Sequence, residues 1–230
     1  MNCYTIIVNV EAGRNTTMDF LEVMEIVIRS LYVTLTATSI ATIIGVFFSV
    51  IIYLKKFVFK KELISMINSL MSTPPVIVGL VVFLILSRKG PLGSFKLLFT
   101  SGAMIIAQVF LLIPISMSLT LDCLNKLGEE ILNTCKILQV SKNDTIKIFI
   151  KEIKYHIVTV IIATFGRGIS EVGAVMLVGG NIRGKTRVMT TYIAQSTSMG
   201  NFDQSLIIAA ILISISFIST FLIRRLQRDE

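Results

Sequence analysis

Four stretches of this chain, residues 30–54, 63–87, 97–121 and 204–223, contain no charged side chain at all. A helix needs about 20 apolar residues to cross roughly 30 Å of hydrocarbon, so each stretch is long enough to span a bilayer. A fifth, residues 155–178, is interrupted only by His156, Arg167 and Glu171. A membrane β-barrel would instead show segments of about ten residues with alternating polarity, and these runs are longer and do not alternate. In lipid every backbone polar group must be bonded internally, which leaves helices as the way to cross. The expectation is an all-α membrane protein with about five transmembrane helices. Composition agrees: hydrophobic residues make up 53% of the chain, charged residues 16%, and mean hydropathy is +0.81. The bilayer is the natural solvent for that balance.

The same composition excludes several functions. Cys3, Cys123 and Cys135 are too few and too scattered for a disulfide framework, and no Cys/His spacing suits zinc. They read as small apolar residues. His156 is the only histidine, so histidine-based catalysis has nothing to draw on. No catalytic residue and no metal site is expected. The net charge of +8 comes with no nucleic-acid motif, so nucleic acid is not an expected partner.

What matters in a membrane chain is where the positive charge falls. Lys55, Lys56, Lys60 and Lys61 follow the first span; Lys126, Lys136, Lys142, Lys147, Lys151 and Lys154 fill the segment after the third; Arg224, Arg225 and Arg228 close the tail. The opposite side holds fewer: Arg14, Arg29, Arg88, Lys89, Lys96, Arg183, Lys185 and Arg187. Cytoplasmic loops carry the excess of Lys and Arg. The N-terminus is therefore expected outside and the C-terminus in the cytoplasm. Residues 1–17 lack the pattern of a cleaved signal peptide, so insertion relies on the first span itself.

Several segments stand out. The cytoplasmic loop 122–154 is long for a connector and reads as two short helices: Ile131, Cys135 and Leu138 fall on one face, and Ile146, Phe149, Ile150 and Ile153 repeat the spacing. Between them Ser141 and Asp144 have capping-box spacing. The pair of helices is either an amphipathic hairpin on the lipid surface or a docking element for a cytoplasmic partner. In the fourth span Arg167 and Glu171 lie four residues apart, within reach of each other on one helical face. An intramembrane Arg is unfavourable by about 2.5 to 3.5 kcal/mol on insertion scales and so faces protein or a water-filled path. The pair either locks helix packing or lines a gate for an anion. Beside it, Gly166, Ser170 and Ala174 form a stripe of small residues that lets helices approach closely. Thr34, Thr38, Thr42, Gly45 and Ser49 form a second stripe in the first span, read as a packing face with hydroxyls bonded to the preceding turn. Pro74 and Pro75 in the second span and Pro114 in the third each remove a backbone donor and invite a kink. Such breaks persist at membrane depth only where protein or a cavity satisfies the freed carbonyls.

Gly179, Gly184, Lys185 and Thr186 match the phosphate-binding pattern G-x-x-x-x-G-K-T letter for letter. The context contradicts a nucleotide site, because the stretch follows a membrane span and falls on the side away from ATP. What remains is either a plain turn or a set of backbone N–H groups beside Arg183, Lys185 and Arg187 that can attract an oxyanion or an acidic protein face.

Three stretches resemble a known family. Asn133-Thr134-Cys135-Lys136-Ile137-Leu138-Gln139-Val140-Ser141 resembles the E-A-A-x-x-L-G-A-S core of the coupling loop in ABC importer permeases, with Asn133 in place of the acid and Gln139 in place of the glycine. Ser72-Thr73-Pro74-Pro75-Val76-Ile77-Val78-Gly79-Leu80, continuing to Ser87-Arg88-Lys89-Gly90-Pro91-Leu92-Gly93, is similar to the tungstate-specific ABC permeases, relatives of the molybdate and sulfate permeases. So is the stretch from Gly166-Arg167-Gly168-Ile169-Ser170-Glu171 through Val178-Gly179-Gly180-Asn181-Ile182. Lys151-Glu152 stands where other permeases of the class have a Leu-Pro pair. The resemblance covers residues 18–230; residues 1–17 match nothing in it, and Met18 is a second candidate start.

The resemblance implies a type I ABC importer permease (MetI-like) architecture in the plasma membrane, a multi-pass subunit that pairs with a second permease copy. It implies two cytoplasmic ATPase subunits, held through Asn133, Thr134, Cys135, Lys136, Leu138, Gln139 and Ser141, which bind the ATP and Mg that this chain does not. It also implies an extracytoplasmic oxyanion-binding protein. Pro74, Pro75, Arg167, Ser170 and Glu171 would then line the translocation path or gate, and Arg183, Lys185 and Arg187 would meet the oxyanion or its binding protein. The transported ion would be tungstate, with molybdate or sulfate as alternatives. From a different class, a stand-alone carrier or channel would need no stoichiometric ATPase.

Overall fold

A computed structural model describes residues 20–55 and 57–228, and among these every regular element is a helix. Residues 1–17 and Lys56, together with the side chains of Phe149 and Ile150, lie outside the described residues. The α-helices are α1 (Phe20–Leu54), α2 (Lys60–Met71), α3 (Pro75–Leu86), α4 (Ser101–Ile137), α5 (Lys142–Glu152), α6 (Lys154–Ile169), α7 (Gly173–Gly179), α8 (Met189–Ser198) and α9 (Phe202–Arg228), with a 3-10 turn at Gly93–Phe95. Three of them, α1, α4 and α9, are long and apolar enough to cross a membrane alone. Two bent pairs, α2 with α3 and α6 with α7, bring the number of candidate passages to as many as five.

The first and third spans run parallel, side by side. Val33 packs near Met104 and Ala107, Ala37 and Ala41 near Leu111 and Ile115, and Val46 and Val50 near Cys123 and Leu124. Small residues make that contact possible. A Cβ on Gly45 would lie 2.5 Å from the Ser116 hydroxyl, and one on Gly128 would lie 2.4 Å from the Tyr53 ring. The stripe on α1 is buried along its length, as the spacing predicts: Thr34, Thr38, Thr42 and Ser49 are all under 5% exposed. Its hydroxyls behave differently from the expectation. Ser49 donates across the interface to the Met117 carbonyl, 3.0 Å away, and the Thr38 and Thr42 hydroxyls are buried without a partner among the described residues.

The bent pairs thread back the other way. Asn68 on α2 accepts from Ser118 on α4 near one end of the bundle, and Val82 and Leu86 on α3 join Ala103 and Met104 near the other. Likewise Ile153, just before α6, packs with Val46 and Val50, whereas Val178 at the end of α7 packs with Met104. Each pair therefore traverses the bundle once.

The element after the third span is a correction to the reading of loop 122–154. No break separates the span from the loop's first helix; α4 runs unbroken through Pro114 and on to Ile137. At 1.5 Å per residue it is about 55 Å long, well beyond the hydrocarbon thickness. Only α5 is a separate helix. Ser141 caps it: its hydroxyl accepts from the Asp144 N–H at 3.3 Å and donates to the Asp144 carboxylate at 2.8 Å.

Candidate functional site

The two breaks within the bent spans have different chemical causes. After α2, Pro74 and Pro75 offer no N–H, so the helix cannot continue; Thr73 closes its last turn by donating to the Leu70 carbonyl, and Pro74 turns to extended backbone. Pro75 then starts α3 at the first helical position, where a missing donor does no harm. The bend is 95°. After α6 there is no proline. The chain leaves the helix at Ser170, and a carboxylate starts the next one: Glu171 Oε1 accepts from the Ala174 N–H of α7 at 3.2 Å. A negative group at a helix N-terminus is favoured by the helix dipole and by the free N–H groups there. This bend is 61°.

Glu171 is 3% exposed and is held from several directions. Its Oε2 faces Arg167 Nη1 at 3.4 Å, and its carbonyl accepts from the Thr190 hydroxyl at 2.8 Å. Three residues further back, the Gly168 carbonyl accepts from Gln108 Nε2 of α4 at 3.1 Å. Backbone oxygens around the break are thus bonded by side chains of α4 and α8, as a broken span inside a membrane requires. Ser30, Thr34, Gln108, Glu171 and Thr190 together line a small, partly open cavity of about 10 Å³ between α1, α4 and the break, the size of one water molecule. Arg167 differs from its partner: 41% of its side chain is exposed, against 2% for Glu171. Ser170 is exposed beside it.

The two breaks lie against each other. A Cβ on Gly173 would sit 2.6 Å from a Val76 methyl, and one on Gly79 would sit 2.5 Å from the Ala174 Cα. Pro74 and Pro75 on one span, and Arg167, Ser170 and Glu171 on the other, are therefore brought to one junction, which is what the sequence reading groups together. The stripe of Gly166, Ser170 and Ala174 does not survive as one face. The bend sends Ala174 under Gly79, leaves Ser170 exposed, and puts no atom within 4 Å of where a Gly166 side chain would be. Local spacing gives no sign of Gln108 or Thr190, which come from 60 and 19 positions away.

The remaining candidates fall at the two ends of the bundle. At one end, Thr186 closes the 179–187 turn by donating to the Gly179 carbonyl at 2.6 Å and accepting from the Ile182 N–H at 2.9 Å. Arg183 and Arg187 pair with Glu22 at 2.6 and 3.4 Å, and Arg29 donates to the Gly184 carbonyl at 2.9 Å. The turn is strapped to the start of α1, and of its three cations Lys185 stands exposed with no ion pair among the described residues. At the opposite end Cys135 is buried, whereas Asn133, Thr134, Lys136, Leu138, Gln139 and Ser141 are exposed. Ile137 and Leu138 are 80% and 67% exposed at the tip of α4. Gln139 adopts φ +50°, the left-handed conformation that ends helices, and the Val140 N–H donates back to the Cys135 carbonyl at 3.0 Å.

The family model described as binding-protein-dependent transport system inner membrane component matches residues 41–229. The chain belongs to that family. It is 42% identical over 208 residues to the tungstate uptake system permease protein TupB of Peptoclostridium acidaminophilum, covering 90% of this chain and 91% of that one. It is 37% identical to a probable anion ABC transporter permease of Haloferax volcanii, covering 81% and 82%, and 33% identical to the TupB permease of Campylobacter jejuni, covering 75% and 72%. Permeases described for molybdenum and sulfate also match. The chain is a multi-pass inner membrane component of an ABC transport system, a transport subunit by family.

Proposed function

We propose that this chain forms the membrane path of an ATP-driven oxyanion importer, with tungstate as its ion. The observation that supports the path is the junction of the two broken spans. There a half-exposed Arg167 is offset by a buried Glu171. A fully free guanidinium would hold an oxyanion tightly, and conduction requires binding strong enough to enter and weak enough to leave. A neighbouring carboxylate that cancels most of the charge meets both needs. Discontinuous helices at membrane depth are a recurring way to build such a place. The tungstate assignment is supported by the tungstate uptake function named for two of the similar relatives.

In this reading the apolar tip at Ile137 and Leu138 seats an ATPase subunit, which holds the ATP and Mg. Two such subunits serve a pair of permease copies. The Lys-rich end of the bundle is cytoplasmic, and the 179–187 turn is extracytoplasmic, where an oxyanion-binding protein delivers its cargo. Oxyanion translocation would follow from the two halves of each bent span moving about their breaks.

Co-expression with candidate ATPase and binding-protein partners tests the reading. The complex should purify with a stoichiometric ATPase and accumulate tungstate in vesicles only when ATP and the loaded binding protein are supplied. Accumulation by this chain alone, without ATP, would make it a secondary carrier instead.

A further inference from the structure

The extracytoplasmic assignment above places two loops on one end of the bundle, and their cations are paired to different degrees. On the 179–187 turn Arg183 and Arg187 share a single carboxylate, Glu22, and Lys185 forms no ion pair among the described residues. The loop between α3 and α4, residues 87–100, contains no acidic residue. Arg88, Lys89 and Lys96 on it are exposed, and none forms an ion pair among the described residues. Both loops meet at their bases, where the Phe99 N–H donates to the Val178 carbonyl at 2.9 Å.

The 87–100 loop is built rather than slack. Gly90 donates to the Ser87 carbonyl at 2.8 Å, Leu92 to the Ile85 carbonyl at 3.1 Å, and Gly93 opens a 3-10 turn that ends on Lys96. Gly90 and Gly93 pack so closely on the carbonyls of residues 84–88 that no side chain would fit. Lys96 and Phe99 hold φ of +50° and +61° without being glycine, and such backbone outliers gather at ligand clamps. The loop encloses a half-open cavity of about 1170 Å³, lined by Arg88 and Lys96 and floored by Phe83, Leu86 and Phe99. Phe83 and Phe99 meet edge to face at 6.4 Å.

We infer that this cavity is the seat of the oxyanion-binding protein on the permease, and that it takes an acidic segment carrying an apolar side chain at its tip. The inference rests on the importer reading. Unpaired cations at the rim attract the carboxylates, the aromatic floor takes the apolar tip, and the fixed backbone spares the ordering entropy that docking on a loose loop would cost. Arg183 and Arg187, which share Glu22, contribute less to that attraction than the unpaired Arg88 and Lys96 on the rim of the cavity.

The test is ATPase activity of the assembled transporter in vesicles, titrated with the loaded binding protein. Arg88→Glu with Lys96→Glu should raise the binding-protein concentration for half-maximal stimulation by about tenfold or more and leave the plateau in place, because rim charges govern encounter rather than turnover. In the wild type the same half-maximal concentration should rise with ionic strength, a readout that needs no variant to fold. An unchanged half-maximal concentration in the double variant, or a salt-independent one in the wild type, overturns the inference. Loss of co-purified anionic lipid with an unaltered titration overturns it as well, and assigns the cavity to a lipid headgroup. A wild-type complex that no binding protein stimulates would overturn the importer reading itself, and this inference with it.

Discussion

At the scale of single residues, the tip of α4 carries two features that chemistry makes testable. Gln139 occupies a left-handed position that costs an L-residue roughly 1–2 kcal/mol and a glycine almost nothing. The coupling-loop pattern that this segment resembles has glycine there, the residue that such a conformation favours. Gln139→Gly should raise stability by about 1 kcal/mol and lift the midpoint of thermal unfolding; a lower midpoint would contradict the assigned geometry. Five residues further on, the Asp144 carboxyl is held below its ordinary range, first by the Ser141 hydroxyl and then by Lys147. A lowered folded value means that the cap is fully formed above the unfolded value, about 3.9, and is lost only as pH falls through the lower folded one. Ser141→Ala should move the Asp144 titration up toward that ordinary value, seen in its carboxyl carbon shift. An unmoved titration would refute the capping assignment.

At the scale of elements, the two bent spans separate what a sequence displays from what it hides. Pro74 and Pro75 announce their break, because two missing donors in a row are visible without coordinates. The break after α6 has no such signal. It depends on Glu171 capping α7 and on Gln108 and Thr190 taking up the carbonyls, and these partners are remote in the chain. The four-residue spacing of Arg167 and Glu171 was enough to foresee their contact, although the pair now bridges a bend rather than one helical face. Continuity of α4 was hidden for a related reason: the positive charge begins where the membrane ends, but nothing between Leu121 and Ile137 stops the helix. The junction itself predicts a contrast between two glycines. Gly79→Ala forces a Cβ against the Ala174 backbone and should destabilise the chain by about 1–3 kcal/mol. Gly166→Ala meets nothing within 4 Å and should be neutral or stabilise the helix by up to about 1 kcal/mol. Equal thermal shifts for the two would argue against the packing of α3 on α7. At the other end, Leu138→Ser should weaken retention of the ATPase during purification, since an exposed apolar tip is the contact it removes; undiminished retention would place the coupling contact elsewhere.

At the scale of the whole molecule, the five passages arrange the functions along one axis. A strapped turn and a cationic loop lie at one end, the junction of the breaks lies in the body, and the projecting α4 and α5 lie at the other end. The number of candidate passages was legible because four long uncharged stretches stand out and a fifth is interrupted only by His156, Arg167 and Glu171. The pairing of Glu22 with Arg183 and Arg187 was not, because the partners are separated by 161 and 165 positions, and it changes which cations remain free to meet a partner. The central claim is that the anion passes the junction under the influence of Arg167 and Glu171. ATP-dependent tungstate uptake into vesicles carrying the assembled transporter measures it most directly, comparing wild type with the charge-neutral double variant Arg167→Met with Glu171→Gln. The account predicts an uptake rate lower by about tenfold or more, equivalent to about 1.4 kcal/mol on the barrier, with the ATPase still bound. An unchanged rate in the double variant would contradict it.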